Sequence, residues 1–183
     1  MSEDNRRLWL IDGAYMWYAQ NSLVPAYQLD YRKLRDKLEE DGKVFQAYYF
    51  NATQNPPSDA QDSFHTWLKC ARPSGPNLQV RLYKLKELHL KCPACSHEFD
   101  RQVQKGVDVG IATMALRLVD RYETLMLSSG DGDYMDSMEY VRNTLDKRLE
   151  LVVFRYGVAT DLQSLSDKIY WIDDFKQDVG RYD

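Results

Sequence analysis

T-L-M-L-S-S-G-D-G-D-Y-M-D, residues 124–136, decides how this chain is read. Leu125, Met126 and Leu127 form an apolar run too short for a helix, so they predict a buried strand ending at Ser128-Ser129-Gly130. Asp131 and Asp133 follow at once, and Met135, Met138 and Val141 then recur at helical spacing. In a parallel α/β sheet such a strand-to-helix turn lies at the carboxyl edge, where ligands bind. Small residues followed by two carboxylates predict an open, negatively charged notch suited to a hard cation.

Working outward, the same strand-then-helix pattern repeats. Leu8 to Ile11 predicts a buried first strand with Asp12-Gly13 at its tip, and Ala14 to Ala19 a short helix. A charged helix from Tyr31 to Glu40 precedes a second strand, Val44 to Phe50. Asn55-Pro56-Pro57-Ser58 reads as a turn, with Ser58 capping a helix from Asp59 to about Ala71. Gln79 to Leu90 alternates as a half-exposed strand or hairpin arm, and Cys92 to Asp100 is its tip. Val107, Ile111, Met114 and Leu118 predict an amphipathic helix from Val107 to Tyr122. Beyond Asp136 the helix runs to about Asp146, followed by a strand at Leu149 to Phe154, a short helix near Asp161 to Asp167 and a closing Tyr170-Trp171-Ile172. This alternation predicts an α/β fold: a mostly parallel sheet covered on both faces, with a hairpin insertion around residues 84–103. No repeat or linker divides residues 1–183, which are read as one domain.

Bulk properties agree. The chain has 183 residues, 44% of them hydrophobic and 28% charged, with a net charge of -4. That is enough for one buried core, and the acidic balance opposes tight, sequence-blind binding to nucleic acid. No apolar run reaches the length of a membrane span, and Met1 to Arg7 is too polar to begin a secretory signal. The expectation is a cytoplasmic protein without membrane contact. Three cysteines without an export signal do not read as a disulfide framework.

The right-handed connections of such sheets bring acids at strand tips to one edge. Asp12 ends the first strand, Asp131 and Asp133 follow the 124–128 strand, and Asp108 opens the Val107 helix. Taken singly, each has a plain reading: Asp12-Gly13 as a turn, Asp131 and Asp133 as loop and cap residues, Asp108 and Asp136 as first-turn acids. Together, four carboxylates sharing one pocket call for a compensating divalent cation.

L-I-D-G-A-Y at residues 10–15, K-G-V-D-V-G-I-A-T-M-A-L at 105–116 and L-S-S-G-D-G-D-Y-M-D-S-M at 127–138 resemble the NYN domain family, a PIN-like branch of metal-dependent nucleases. The resemblance extends through Leu151 to Tyr170 and covers nearly the whole chain. It implies a PIN-like three-layer α/β/α fold and a site in which Asp12, Asp108, Asp131 and Asp133 hold Mg2+ or Mn2+. It implies hydrolysis of phosphodiester bonds, with single-stranded RNA as the expected partner. Lys105 would contact substrate phosphate, and Ser128 and Ser129 its oxygens or nearby water. Tyr15, also expected beside substrate, stands where the family often carries asparagine. A second reading follows from that departure: a catalytically weak or silent RNA-binding module of the same fold. A covalent phosphotransferase built on Asp12 ranks lower, because Ala14 stands where such an enzyme needs a second acid.

The hairpin adds two features. Cys92-Pro-Ala-Cys95 has the shape of half a zinc site, with His89, His97, His65 and Cys70 the candidates to complete it. From Arg81 to Lys105 six cations, Lys84 and Lys86 among them, face three acids, which suits an arm guiding a polyanion or a solvated edge strand. Trp17 and Tyr18 read either as core or as the face of a homodimer.

Overall fold

The computed structural model describes residues 5–23, 27–54 and 56–181. The chain begins with β1 (Arg7–Asp12), α1 (Gly13–Leu23), α2 (Tyr31–Glu39), β2 (Val44–Thr53), α3 (Asp59–Lys69) and β3 (Gln79–Lys84). A hairpin of β4 (Lys86–Lys91) and β5 (Glu98–Val103) follows, then α4 (Val107–Arg117) and β6 (Thr124–Ser128). The remainder is α5 (Met135–Glu139), β7 (Arg148–Val153), α6 (Thr160–Leu165), β8 (Lys168–Trp171) and α7 (Lys176–Val179).

Six strands form one sheet in the order β3-β2-β1-β6-β7-β8, and every neighbouring pair is parallel. The chain winds outward from β1 to β3, then returns to the middle and winds the other way from β6 to β8. The order therefore reverses between β1 and β6, and the crevice beyond the carboxyl ends at such a reversal is where doubly wound folds bind ligands. Ile11 of β1 pairs with Ser128 of β6, so Asp12 and Ser129 step off the sheet side by side.

Alternation along the central strands feeds two cores. Trp9 and Ile11 pack with Met16, Leu34, Leu68 and Val179, under α1, α2, α3 and α7. Leu8 and Leu10 pack with Val107, Ile111, Met138 and Leu162, under α4, α5 and α6. All six residues of β1 are buried, as a strand covered on both faces requires. This is the expected three-layer α/β/α arrangement.

Local chemistry sets the helix starts. The Asp30 carboxylate accepts the amides of Arg32 and Lys33 at the head of α2. Ser58 and Gln61 form a reciprocal capping box on α3. Of the expected turn before it, Asn55 lies outside the described residues.

Three expectations are corrected. Gln79 to Leu90 is not one strand: Leu85 donates its amide to Thr53, and the chain leaves the sheet there to make the hairpin. The Val107 helix stops at Arg117 and ends in one tight turn, Val119–Arg121. The helix expected to run to Asp146 is three short pieces: a tight turn at Gly132–Tyr134, α5, and a widened turn at Tyr140–Thr144.

Asp167 ties the α6–β8 loop to β7. Its Oδ2 accepts the Leu149 amide and its Oδ1 the Arg142 guanidinium, both at 2.9 Å. Burial pushes its carboxyl up, but the amide and the guanidinium outweigh burial and hold it below the usual carboxylate range. The folded protein releases this proton more readily than the unfolded chain. The stability it contributes is thus present above the unfolded value, about 4, and is lost as pH falls through the folded one. Asp167→Asn should cost about 1 kcal/mol in urea unfolding at neutral pH, with the difference from wild type vanishing at acid pH.

Candidate functional site

Asp12, at the tip of β1, is only 6% exposed. Its Oδ1 accepts the amides of Ala14 and Tyr15, both at 3.1 Å, which caps the start of α1. Its Oδ2 accepts the Ser129 hydroxyl at 3.2 Å. Burial pushes its carboxyl up, the Tyr15 amide and Ser129 pull it down, and the charge of Asp108 pushes it up again; the net shift is upward.

Asp131 follows β6, and its Oδ1 accepts the Asp133 amide at 3.0 Å. The Asp131 amide in turn donates to Ser129 Oγ at 3.4 Å. Ser129 is fully buried and so links the first acid to the loop carrying the second. Asp108, in the first turn of α4, accepts the Tyr134 hydroxyl on Oδ1 at 3.1 Å. Burial, with the charges of Asp12, Asp108 and Asp131, drives the Tyr134 phenol far above its ordinary range, so it remains a donor. One buried phenol feels all three acids.

Asp12, Asp108 and Asp131 line a single cavity of about 780 Å³, together with Tyr15 and the 155–159 loop. Gly130 lets that loop close: a Cβ there would stand 2.1 Å from the Gly157 carbonyl oxygen and 2.8 Å from the Tyr15 ring. The Tyr15 hydroxyl shares its proton between the Phe154 and Tyr156 carbonyls, at 3.0 and 3.2 Å. Tyr15 therefore offers the cavity its ring and pins the loop with its hydroxyl.

Other expected residues fall elsewhere. Asp133 is exposed and does not line the cavity; it serves through its amide. Ser128 is buried, its Oγ accepting the Trp9 indole N–H at 2.9 Å, and it does not line the cavity. Ser129 is buried as well and acts through Asp12. Lys84, Lys86 and Lys105 are exposed and line neither this cavity nor the hollow beside it.

Gln104 and Arg155 do line the acidic cavity, and the sequence reading passed over both. Arg155 was findable, because it lies just past the carboxyl end of β7, the strand beside β6. Its guanidinium grips both Asp174 oxygens, at 2.8 and 2.9 Å, and stacks over Trp171.

At the hairpin tip the Cys92 amide donates to the His97 carbonyl and the Ser96 amide to the Cys92 carbonyl, each at 2.8 Å. The soft candidates go elsewhere: His89 pairs with Asp100, the Cys70 thiol donates to the Thr66 carbonyl, and His65 is on the buried face of α3. Among the described residues no three His, Cys, Asp or Glu side chains stand close enough together to hold a metal ion, at the hairpin or in the cavity. Among them, too, no helix is long and apolar enough to cross a membrane.

The NYN domain family model matches residues 8–173, nearly the entire chain. This chain belongs to the NYN domain family. Its fold is also that of a solved protein of unknown function from Vibrio parahaemolyticus, with a TM-score of 0.72, 19% identity, and coverage of 98% of this chain and 99% of that one. No curated protein matches the chain in sequence. NYN domains are nuclease-like proteins on a PIN-like fold, and the three-layer sheet of this NYN domain is that fold.

The acids that line this cavity, Asp12, Asp108 and Asp131, come from three separate segments and offer carboxylate oxygens, the ligand type a hard divalent cation takes. The one guanidinium among the described lining residues, that of Arg155, is already paired with Asp174, and Asp12 is pushed up by burial and by Asp108. Asp12 uses three of its roughly four lone-pair positions on protein donors, which leaves room for one more partner.

Proposed function

We propose that this NYN domain hydrolyses phosphodiester bonds of single-stranded RNA with the help of Mg2+ or Mn2+. The observation that carries the reading is the meeting of Asp12, Asp108 and Asp131 on one cavity at the carboxyl edge of the sheet, where the strand order reverses. One or two of these carboxylates would hold the cation, with water completing its shell, because no three described side chains stand close enough to share one ion. When bound, such an ion supplies positive charge for the phosphate and lowers the pKa of water. The protein's part is preorganisation. Two amides and Ser129 fix the Asp12 carboxylate, Tyr134 fixes Asp108, and the Asp133 amide fixes Asp131. Tyr15 holds the 155–159 loop against the cavity, with Arg155 on its rim to meet a phosphate.

A second reading, an RNA-binding module that turns over little, draws on Tyr15: its hydroxyl is spent on backbone carbonyls and orients no substrate group. One experiment separates them. Purified protein is incubated with end-labelled single-stranded RNA in Mn2+, in Mg2+ and in EDTA. Cleavage in either metal and none in EDTA is the expected result. RNAs of several sequences that are bound but left intact in both metals would decide for the silent module.

A further inference from the structure

A second hollow, of about 750 Å³, lies beside α1 and meets the acidic cavity at Ala14, Tyr18 and Gln104, which line both. Its chemistry is the opposite of its neighbour's. Among the described residues no carboxylate lines it; its walls are aromatic rings and side-chain amides, with Arg181 the single guanidinium or ammonium group among them. Trp17 and Tyr18 stand at 57% and 65% exposure, edge to face with ring centroids 5.0 Å apart. Phe64 and Tyr49 pack edge to face behind them, and Asn51 donates to the Tyr49 hydroxyl. Gly13 lets α1 sit flush on this wall, since a Cβ there would stand 2.4 Å from the Tyr49 ring.

His65 is the second observation. It lines the hollow at 3% exposure, and its Nδ1 has no hydrogen-bond partner among the described residues. Buried polar atoms are almost always paired, so an orphaned ring nitrogen in a hollow wall points to a ligand that completes it. Burial also lowers the imidazole pKa and keeps the ring neutral. The ligand this combination suits is flat, uncharged and edged with donors and acceptors.

We infer that this hollow is a nucleobase groove, taking unpaired bases next to the phosphate held at the acidic cavity. The inference rests on the nuclease reading for which end of the strand chemistry occurs, and adds where the bases go. Bases stack on Trp17 and Tyr18 through their faces, and the amides and His65 meet their edges. Described carboxylates are absent where neutral bases lie and gathered where the backbone phosphate lies, so a nucleotide seated across Ala14, Tyr18 and Gln104 has its base on one side of that junction and its phosphate on the other. A duplex keeps its bases inside the stack and has none to offer the groove.

The test is fluorescence anisotropy with an end-labelled single-stranded RNA, an abasic ribose-phosphate strand of the same length and a blunt RNA duplex, all in Ca2+ at low salt. Trp17→Ala with Tyr18→Ala should weaken single-strand binding by about tenfold or more and leave the abasic strand unaffected. Both side chains are exposed, so the variant is expected to melt like wild type. His65→Phe fills the same space without the nitrogen and should weaken the single strand alone. Wild-type-like RNA binding by the double variant, or equal wild-type affinity for abasic and natural strands, would overturn the inference. So would a double variant that changes only from dimer to monomer in size-exclusion chromatography, which assigns the aromatic pair to a second copy. RNA bound in the groove but never cut would leave this inference standing and remove the nuclease reading; cutting with unchanged affinity would do the reverse.

Discussion

Asp12→Asn should lower metal-dependent RNA cleavage by at least about a hundredfold. Groups that merely orient a metal ligand cost about ten- to a hundredfold when removed, so a ligand itself must cost more. Asparagine keeps an Oδ1 to accept the Ala14 and Tyr15 amides, so α1 stays capped, while the charge and the acceptor for the Ser129 hydroxyl are removed. The same substitution should raise stability in EDTA at neutral pH. The folded protein holds the Asp12 proton more tightly than the unfolded chain does, because burial and Asp108 outweigh the bonds from Tyr15, Ser129 and Ala14. Stability therefore falls as pH rises from the unfolded value to the folded one, and asparagine escapes that loss. Two measurements check this: kcat/KM on labelled RNA, and the rise in Tm on adding Mn2+. Wild-type cleavage by Asp12→Asn, or an equal Mn2+ shift in both proteins, would remove Asp12 from the site. Asp133→Asn, outside the cavity lining, should stay within a few-fold of wild type.

Arg7→Met should destabilise the fold by about 3–5 kcal/mol, because it strands a buried carboxylate. Arg7 is 1% exposed and Glu150 5%, and they meet at 2.8 Å. The guanidinium also donates to the Leu38 and Gly42 carbonyls and to the Tyr170 hydroxyl, at 2.7–2.8 Å. One side chain thus joins β1 to the end of α2, to β7 and to β8. Removing it leaves Glu150 without its buried partner; Arg148, its other cation, is exposed and 3.9 Å away. Adding Glu150→Gln should recover a large part of the loss, because the uncompensated charge is gone. Urea unfolding of the two variants measures both effects. A loss under about 1 kcal/mol for Arg7→Met would mean that water reaches Glu150 after all.

What could be read early was whatever depends on near neighbours in the chain. Leu8 to Ile11 and Leu125 to Leu127 are continuous apolar runs that can only be strands buried on both faces, and they do form the sheet centre. Ser58 and Gln61 have the spacing of a capping box, and the box is there. The helix beyond Asp136 misled because its apolar spacing is helical, while the chain is wound three different ways between Gly132 and Thr144, with the Tyr134 hydroxyl bonded to Asp108.

The sequence by itself determined the order of strands and helices, and so the edge at which Asp12 and Asp131 emerge, since apolar periodicity and turn chemistry act over a few residues. Only the tertiary structure decided which neighbours face inward. Ser128 turns to Trp9 and Ser129 to Asp12, Asp133 stays outside while Asp131 lines the cavity, and Arg155 and the aromatic groove join the site from distant segments. The reason is geometric. A strand sends successive side chains to opposite faces, so a one-residue step exchanges core for cavity, and the partner that settles it lies more than a hundred residues away.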